Sequence, residues 1–212
     1  MGNQIGLSEA SGDIWRNIKK SASGSFSLIR LKKSIPLYNE CNKHMLEYID
    51  RQINAGNTII DNANILPNIS MDVLASVGLG VNINTFMNPI DEFKVKTDNI
   101  FVTKRWEFVQ FLPNIASLFR IQVFNPDSVK YIMTIITRTM EQRKKGGILG
   151  KDILGSIIKH REDNPVDENF DVILKTYVQF VGDANFTLGG LLGATLYYVI
   201  SHPEIYSKLM DE

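Results

Sequence analysis

The sequence predicts an all-α fold. In its longest segments the apolar residues recur every three or four positions, the spacing that places them on one face of a helix. The mostly apolar run from Leu188 to Ile200 is too short to cross a bilayer, which favours a buried core helix. We find no convincing strand alternation and no internal repeat.

The composition fits part of one α-rich domain over residues 1–212. The chain has 212 residues, of which 44% are hydrophobic and 22% are charged, with a formal net charge of +0. That is enough apolar material for one core. The balanced charge gives no reason to expect a nucleic-acid partner. The one cysteine, Cys41, excludes an internal disulfide, and the polar N-terminus lacks the apolar core of a signal peptide.

The first half of the chain is expected to form three helices joined by short links. Ser8 or Ser11 can cap a helix over residues 13–21. Apolar residues at helical spacing predict one long helix from Leu31 to Ala55, which Gly56 and Asn57 stop. After an extended link, a third helix is expected over residues 66–81, with Pro67 tolerated in its first turn.

The second half is predicted to be helical around one irregular stretch. Pro89 opens a helix through about Val102, and residues 104–122 are irregular around Pro113. The further elements are a helix from Asn125 to Gln142 or Arg143, a loop over residues 143–147, a short helix over 151–160 and a long helix from Asn164–Pro165 to His202–Pro203. The basic run Arg138, Arg143, Lys144 and Lys145 is interpreted as a solvated face.

The long helix carries a polar centre. Asp183 and Thr187 are four residues apart, so they share one helix face. A threonine inside a helix can bond the carbonyl one turn back, which loosens the local hydrogen-bond ladder. Glycines lower helix propensity further and let another body come close; they stand at Gly182, Gly189, Gly190 and Gly193. A buried helix weakened in this way indicates a functional site.

In this region the chain resembles the cytochrome P450 family of heme-thiolate monooxygenases. The signature of their long helix reads Ala/Gly-Gly-x-Asp/Glu-Thr-Thr/Ser and precedes a His-Pro. Counting back from His202–Pro203 places the oxygen-activating threonine on Thr187. The acid expected before it is replaced by Phe186, and an acid stands one turn earlier at Asp183. The family's glycine falls on Ala184.

Two further segments support the resemblance, which covers essentially the whole chain. Residues 70–76, 80–84 and 88–89 are similar to animal microsomal P450s that oxidise xenobiotics and steroids. Residues 13–20 are similar to the family's Trp-x-x-x-Arg helix, with Lys19 in place of the arginine. The resemblance implies the central helical part of the fold, ending just past the long helix.

The resemblance also implies roles for single residues. Thr187 and Asp183 would be catalytic. Trp15 and Lys19 would bond a heme propionate, and Ala184 and Thr187 would contact the heme. The substrate pocket would be lined by Ile100, Phe101, Phe180 and Asp183. Each role has a structural alternative: a surface basic helix for the first pair, a hydroxyl bonded to the Asp183 carbonyl for Thr187, and core packing for the apolar residues.

The irregular stretch is rich in large apolar side chains, including Trp106, Phe108, Phe111 and Leu112. Large apolar residues in a loop are either buried or docked. In microsomal relatives this region meets the membrane interface, and the flanking Lys104 and Arg105 suit anionic headgroups. Core packing remains the alternative.

Several family features have no counterpart in the sequence. The Phe-x-x-Gly-x-x-x-Cys-x-Gly loop that holds the iron, the Glu-x-x-Arg helix, the β-rich lobe and the N-terminal anchor are all missing. Cys41 lies among apolar residues at helical spacing and is interpreted as a packing residue. No metal ligand is therefore expected here, and we expect this chain alone to be inactive.

The intact enzyme would insert one oxygen atom of O2 into a lipophilic substrate. It would receive electrons from an NADPH-dependent reductase on the cytosolic face of the endoplasmic reticulum membrane. The alternative is a non-catalytic truncated helical protein, or an interaction module that retains part of the scaffold.

Overall fold

The computed structural model describes five segments of the chain: residues 12–23, 27–101, 124–148, 152–163 and 170–211. It also describes isolated positions, which are 7, 10, 109, 111, 112, 115, 118, 119, 121 and 150. The segments are built from α1 (Gly12–Ser23), α2 (Leu28–Lys33), α3 (Ile35–Asn54), α4 (Asn62–Val73), α5 (Glu92–Asp98), α6 (Pro126–Gly146), α7 (Ile153–Asp163), α8 (Phe170–Ser201) and α9 (Pro203–Asp211). A π-helical segment, Leu74–Leu79, continues α4.

The predicted all-α class is confirmed for these residues. Within the described part of the chain, the only β-type pairing outside helices is an isolated antiparallel bridge between Phe101 and Phe124. Beside it, the Asn125 backbone N–H donates to the Ile100 carbonyl at 2.8 Å. The bridge joins the segment after α5 to the start of α6.

Side-chain caps decide where helices begin. The Asp61 carboxylate accepts from the Ala63 N–H at 2.9 Å, so α4 begins at Asn62 rather than at the predicted Leu66. Pro67 therefore lies inside α4 and not in its first turn, which corrects the sequence prediction. Asn125 caps α6 in the same way, accepting from the Asp127 N–H at 3.0 Å.

The predicted long helix from Leu31 to Ala55 is divided in two. α2 ends at Lys33 and α3 begins at Ile35, with the buried Ser34 between them. Pro36 lies in the first turn of α3, where its missing N–H costs least. The predicted end is confirmed, because Gly56 takes a positive φ of 86° just past the helix.

Two apolar clusters form the core. The first lies among the π-helical segment, α5, α6, α7 and the beginning of α8, and it includes the buried residues Leu79, Phe93, Ile136, Leu154 and Val181. The second lies between α3 and α4 and includes Cys41, Ile65, Ile69, Val73, Val77 and Phe86. α8 packs against both clusters and therefore connects them.

A buried ion pair ties α6 to the start of α7. Arg143 donates from Nη1 to Asp152 Oδ1 at 2.8 Å and from Nη2 to Oδ2 at 2.6 Å. The exposed fractions of the two side chains are 12% and 4%. The interpretation of Arg143 as part of a solvated face was wrong. A Cβ at Gly80, where φ is 64°, would overlap the guanidinium, so only glycine fits there.

Candidate functional site

The long helix α8 crosses two environments. Its buried residues are Phe170, Ile173, Thr176, Tyr177, Val178, Gln179, Val181 and Gly182. From Asp183 onward every side chain is half-buried or exposed. The prediction of a buried core helix over Leu188–Ile200 is therefore wrong: no residue of this range is fully buried, and Leu191 and Ile200, on opposite sides of the helix, are 64% and 65% exposed.

One face of α8, the inner face, is in close contact with the rest of the protein. A Cβ at Gly182 would lie 2.8 Å from Ile100 Cγ2. A Cβ at Gly189 would lie 3.4 Å from Ser70 Oγ, and one at Gly193 would lie 3.3 Å from Leu66 Cδ1. At these three positions the body that comes close is a neighbouring segment of this protein.

The opposite side, which we call the outer face, consists of Asp183, Thr187, Gly190, Leu191 and Ala194. At 100° per residue these positions lie on the side of the helix away from Gly189. A Cβ at Gly190 would meet no heavy atom within 4 Å. No described element therefore covers the outer face at Gly190, and the polar centre predicted from sequence lies on this face.

Thr187 and Asp183 are joined through the backbone. The Thr187 hydroxyl donates to the Asp183 carbonyl at 2.9 Å, with the Ala184 carbonyl at 3.3 Å. This is the bond that the structural alternative predicted, and it leaves the hydroxyl oxygen able to accept hydrogen bonds. Although the Asp183 residue is exposed, nearby protein atoms displace water from its carboxyl group and raise the pKa of that group.

α1 brings the other two predicted heme contacts to α8. The two helices pack together, and Ile18 of α1 is buried. Lys19 Nζ lies 4.5 Å from the centroid of the Trp15 ring, which is a cation–π contact. Trp15 remains 37% exposed. A cation and an indole N–H donor are thus held together on a helix that contacts α8.

Of the four predicted pocket residues, Ile100, Phe101 and Phe180 lie in or against the first core cluster, whereas Asp183 lies on the outer face. Ile100 is 1% exposed and belongs to the cluster, while Phe101, Phe180 and Ala184 pack against it. The centroid of the Phe101 ring lies 5.0 Å from the centroid of the Phe124 ring. Ile100 and Phe101 are brought together with Gly182, but their use by a substrate stays a prediction.

Cys41 has the packing role that its sequence context predicted. It is 4% exposed in the second core cluster, and burial raises its pKa to about 11, with the Asp72 charge adding to the shift. A thiol with such a pKa stays protonated at neutral pH, whereas a metal ligand must be a thiolate. In the described segments, no three His, Cys, Asp or Glu side chains group so as to hold a metal ion.

Half of the predicted membrane-interface cluster can be located. Trp106 and Phe108 lie outside the described residues. Phe111 is 83% exposed and Leu112 is 43% exposed. Among the described helices, none has the length and apolar character that crossing a membrane requires.

Sequence reasoning did not find one polar contact of the inner face. Asn185 Nδ2 donates to Asp98 Oδ1 at 3.1 Å, across 87 residues of sequence. The signal available was an amide between two apolar stretches of α8, but nothing in the sequence named its partner.

The comparison with protein families decides the identity. The model of the family described as cytochrome P450 matches residues 1–212. The chain belongs to the cytochrome P450 family. The predicted resemblance to animal P450s is confirmed by the relatives of this P450 chain.

Three relatives illustrate the similarity. The probable cytochrome P450 6d4 of Drosophila melanogaster is 24% identical, covering 95% of this chain and 44% of that protein. Cytochrome P450 6d3 of Musca domestica is 28% identical, covering 95% of this chain and 44% of that protein. Cytochrome P450 3A2 of Rattus norvegicus is 23% identical, covering 97% and 43%. The P450 chain thus spans less than half the length of the curated relatives it matches.

Proposed function

We propose that this chain is the central helical part of a heme-dependent monooxygenase. The enzyme inserts one oxygen atom of O2 into a lipophilic organic substrate, using electrons from an NADPH-dependent reductase. The observation that carries the proposal is the outer face of α8, where Thr187 and Asp183 lie beside the uncovered Gly190. The family match supports the same activity.

The residues present fit a heme. A flat macrocycle needs space beside the helix; a Cβ at Gly190 would meet no heavy atom within 4 Å, and the small Ala194 one turn later is exposed. The propionates of a heme need donors, and the Lys19 ammonium and the Trp15 indole N–H are held together on α1. Ala184 and Thr187 complete the set of proposed contacts on α8.

A bound heme would supply the redox-active iron at which dioxygen is reduced. The protein's own contribution is control of protons. Because the Thr187 hydroxyl hydrogen is engaged by the Asp183 carbonyl, its oxygen can accept a hydrogen bond from a water on the outer face. The raised pKa of Asp183 lets its carboxyl group donate a proton at higher pH than an ordinary aspartic acid.

The thiolate ligand in this proposal comes from another part of the enzyme. Burial and the high pKa of Cys41 oppose that role, and the family's cysteine loop has no match within residues 1–212. We therefore expect no thiolate-type band in the reduced, CO-treated spectrum of residues 1–212 alone. Such a band from this chain by itself would refute the assignment of the ligand to another part.

The exposed apolar residues support attachment to a membrane interface. Phe111 and Leu112 present apolar side chains to solvent, and Trp106 and Phe108 belong to the same stretch of sequence. Exposed apolar clusters of this kind mark docking surfaces. We place the enzyme on the cytosolic face of the endoplasmic reticulum membrane, with this stretch in the interface.

The test compares two threonines of α8 in the full-length protein with heme and reductase. Thr187→Ala removes the proposed proton-handling hydroxyl. Thr195→Ala removes an exposed hydroxyl two turns later and is the control. We expect Thr187→Ala to lower the product formed per NADPH consumed by about tenfold or more, and the control to match the wild type. Equal losses in both variants would refute the proton-handling role of Thr187.

The result for the wild type tests the function itself. Failure of the full-length protein to form any product, despite bound heme and an active reductase, would favour the non-catalytic scaffold.

A further inference from the structure

The inner face of α8 carries a polar contact that the proposed function does not use. Asn185 Nδ2 donates to Asp98 Oδ1 at 3.1 Å. Asp98 is the last residue of α5, and its other carboxylate oxygen pairs with Lys94 one turn earlier. Both oxygens of this carboxylate are therefore engaged, one within α5 and one across to α8.

The position of Asn185 relates this contact to the outer face. Asn185 lies two residues from Asp183 and two from Thr187, which corresponds to about 200° of rotation in each direction. The amide therefore lies on the opposite side of α8 from both. The bond from Asn185 to α5 adds to the packing at Gly182, Gly189 and Gly193 in setting the rotation of α8 about its axis, and so the direction in which Asp183 and Thr187 face.

The same contact is next to two predicted pocket residues. Ile100 and Phe101 follow α5 and press against Gly182, with a Cβ at Gly182 lying 2.8 Å from Ile100 Cγ2 and 3.0 Å from Phe101 Cε2. Gly182 is three residues before Asn185, hence on the same face. The link between Asp98 and Asn185 thus holds the Ile100–Phe101 segment against α8 at Gly182, about one and a half turns before Thr187.

An amide at this position has a cost that packing alone would avoid. Asn185 Oδ1 is buried without a hydrogen-bond partner among the described residues. A buried polar atom without a partner is destabilising, whereas an apolar side chain of similar size would fill the same space without that loss. The observed residue instead secures a directional bond to Asp98.

We propose that Asp98 and Asn185 form a tether that positions the Ile100–Phe101 segment relative to Thr187, and so determines which atom of the substrate is oxidised. This inference rests on the proposed monooxygenase function. Asp98 and Asn185 are positioning residues, because they act through Ile100, Phe101 and Thr187. The tether sets the regiochemistry by holding α5 and α8 in one relative orientation.

The experiment uses three variants of the full-length protein. Asn185→Asp places a second carboxylate against Asp98 and breaks the tether by repulsion. The double variant Asp98→Asn/Asn185→Asp exchanges the two groups and restores a bond of the same kind. Asn42→Asp makes the same change on an exposed part of α3 and is the control.

The first measurement is hydrogen–deuterium exchange, which does not depend on turnover. We expect Asn185→Asp to speed exchange of peptides covering residues 92–101 by about tenfold, the factor that a hydrogen bond to a charged group commonly supplies. Peptides covering α7 should not change. The double variant restores the bond between the two helices but loses the ion pair between Lys94 and Asp98, so it should recover most of the difference from the wild-type rate. Unchanged exchange in Asn185→Asp would overturn the tether.

The second measurement is the ratio of products from one substrate. The probe is the first compound in a panel of steroids, fatty acids and alkylbenzenes that gives two oxidation products with the wild type. We expect at least a threefold change of the ratio in Asn185→Asp, and the wild-type ratio in the double variant and the control. A variant that merely unfolds more would lower both products equally.

The two proposals fail in different ways. An unchanged ratio with normal wild-type turnover would overturn the tether's role and leave the monooxygenase standing. Absence of product from the wild type would overturn the monooxygenase function and the tether's effect on regiochemistry. The exchange rates would still show whether Asp98 and Asn185 hold α5 to α8.

Discussion

The two halves of α8 have similar apolar sequences but opposite surroundings. From Ile173 to Gly182 every residue of the helix is buried or half-buried, most of the apolar ones in the first core cluster, and Val181 has no exposed surface. After Asp183 only the inner face is covered, and Phe186, Leu191 and Tyr197 are exposed by 85%, 64% and 76%. The comparison teaches that apolar content fixes the helix but not what lies against it. The first half stabilises the fold, and the second half offers a surface.

The largest expected effect comes from breaking the buried ion pair between Arg143 and Asp152, which lies in the core around the first half of α8. Arg143→Met leaves the buried Asp152 carboxylate without its cationic partner. Loss of one partner of a buried ion pair commonly costs about 3–5 kcal/mol of unfolding free energy. Urea unfolding of the full-length protein would measure this. Lys144→Met, on the exposed side of the same helix, should change stability by less than about 0.5 kcal/mol.

An effect of intermediate size is expected from replacing one glycine in each half of α8 by alanine. A methyl group at Gly182 would press on Ile100 and Phe101, so Gly182→Ala should lose about 1–3 kcal/mol of unfolding free energy. Gly190→Ala adds a methyl group in open space and should gain about 0.5–1 kcal/mol, because alanine favours the helix. Thermal unfolding of both variants measures the difference. If both variants were stabilised, or both destabilised, the predicted difference between the two halves of α8 would be wrong.

The smallest effect concerns α4, which lies beneath the second half. Asp72 is fully buried; burial raises the pKa of its carboxyl group, although the Thr85 N–H donates to it at 3.0 Å and opposes the shift. A folded-state pKa above the unfolded value means that the native state binds more protons, so this group's stabilisation is lost as pH rises through its folded pKa.

Asp72→Asn should therefore gain stability relative to the wild type as pH rises from about 4, near the ordinary value for aspartate, towards neutrality. Urea midpoints of both proteins at a series of pH values test this. A stability difference that does not change with pH would show that Asp72 has an ordinary pKa.

Much of the fold could be predicted because it depends on local chemistry. The spacing of apolar residues indicated the all-α class, and Asn125–Pro126 marked the start of α6. Local reasoning failed where a contact crosses the chain. Arg143 looked like a solvated cation because its partner, Asp152, lies nine residues later, beyond the end of α6. The division at Ser34 is different, since Pro36 in the first turn of α3 is a local cause that the apolar spacing did not reveal.

The candidate site was predictable in part for the same reason. Asp183 and Thr187 lie within one helix and His202 follows directly after its last residue, so their spacing could be read from sequence. The contact between Asp98 and Asn185 could not be, because neither residue constrains the other until the tertiary structure forms. Which face of α8 would remain uncovered depends equally on the packing of α4 and α5.

The uncovered Gly190 has a practical consequence for labelling. Cys41 is the one cysteine in residues 1–212. Because its thiol is buried and its pKa is raised to about 11, it should not react with maleimide reagents. Gly190→Cys would then introduce a single reactive handle on the open side of the long helix. A fluorophore or spin label attached there would report directly when something settles on that surface.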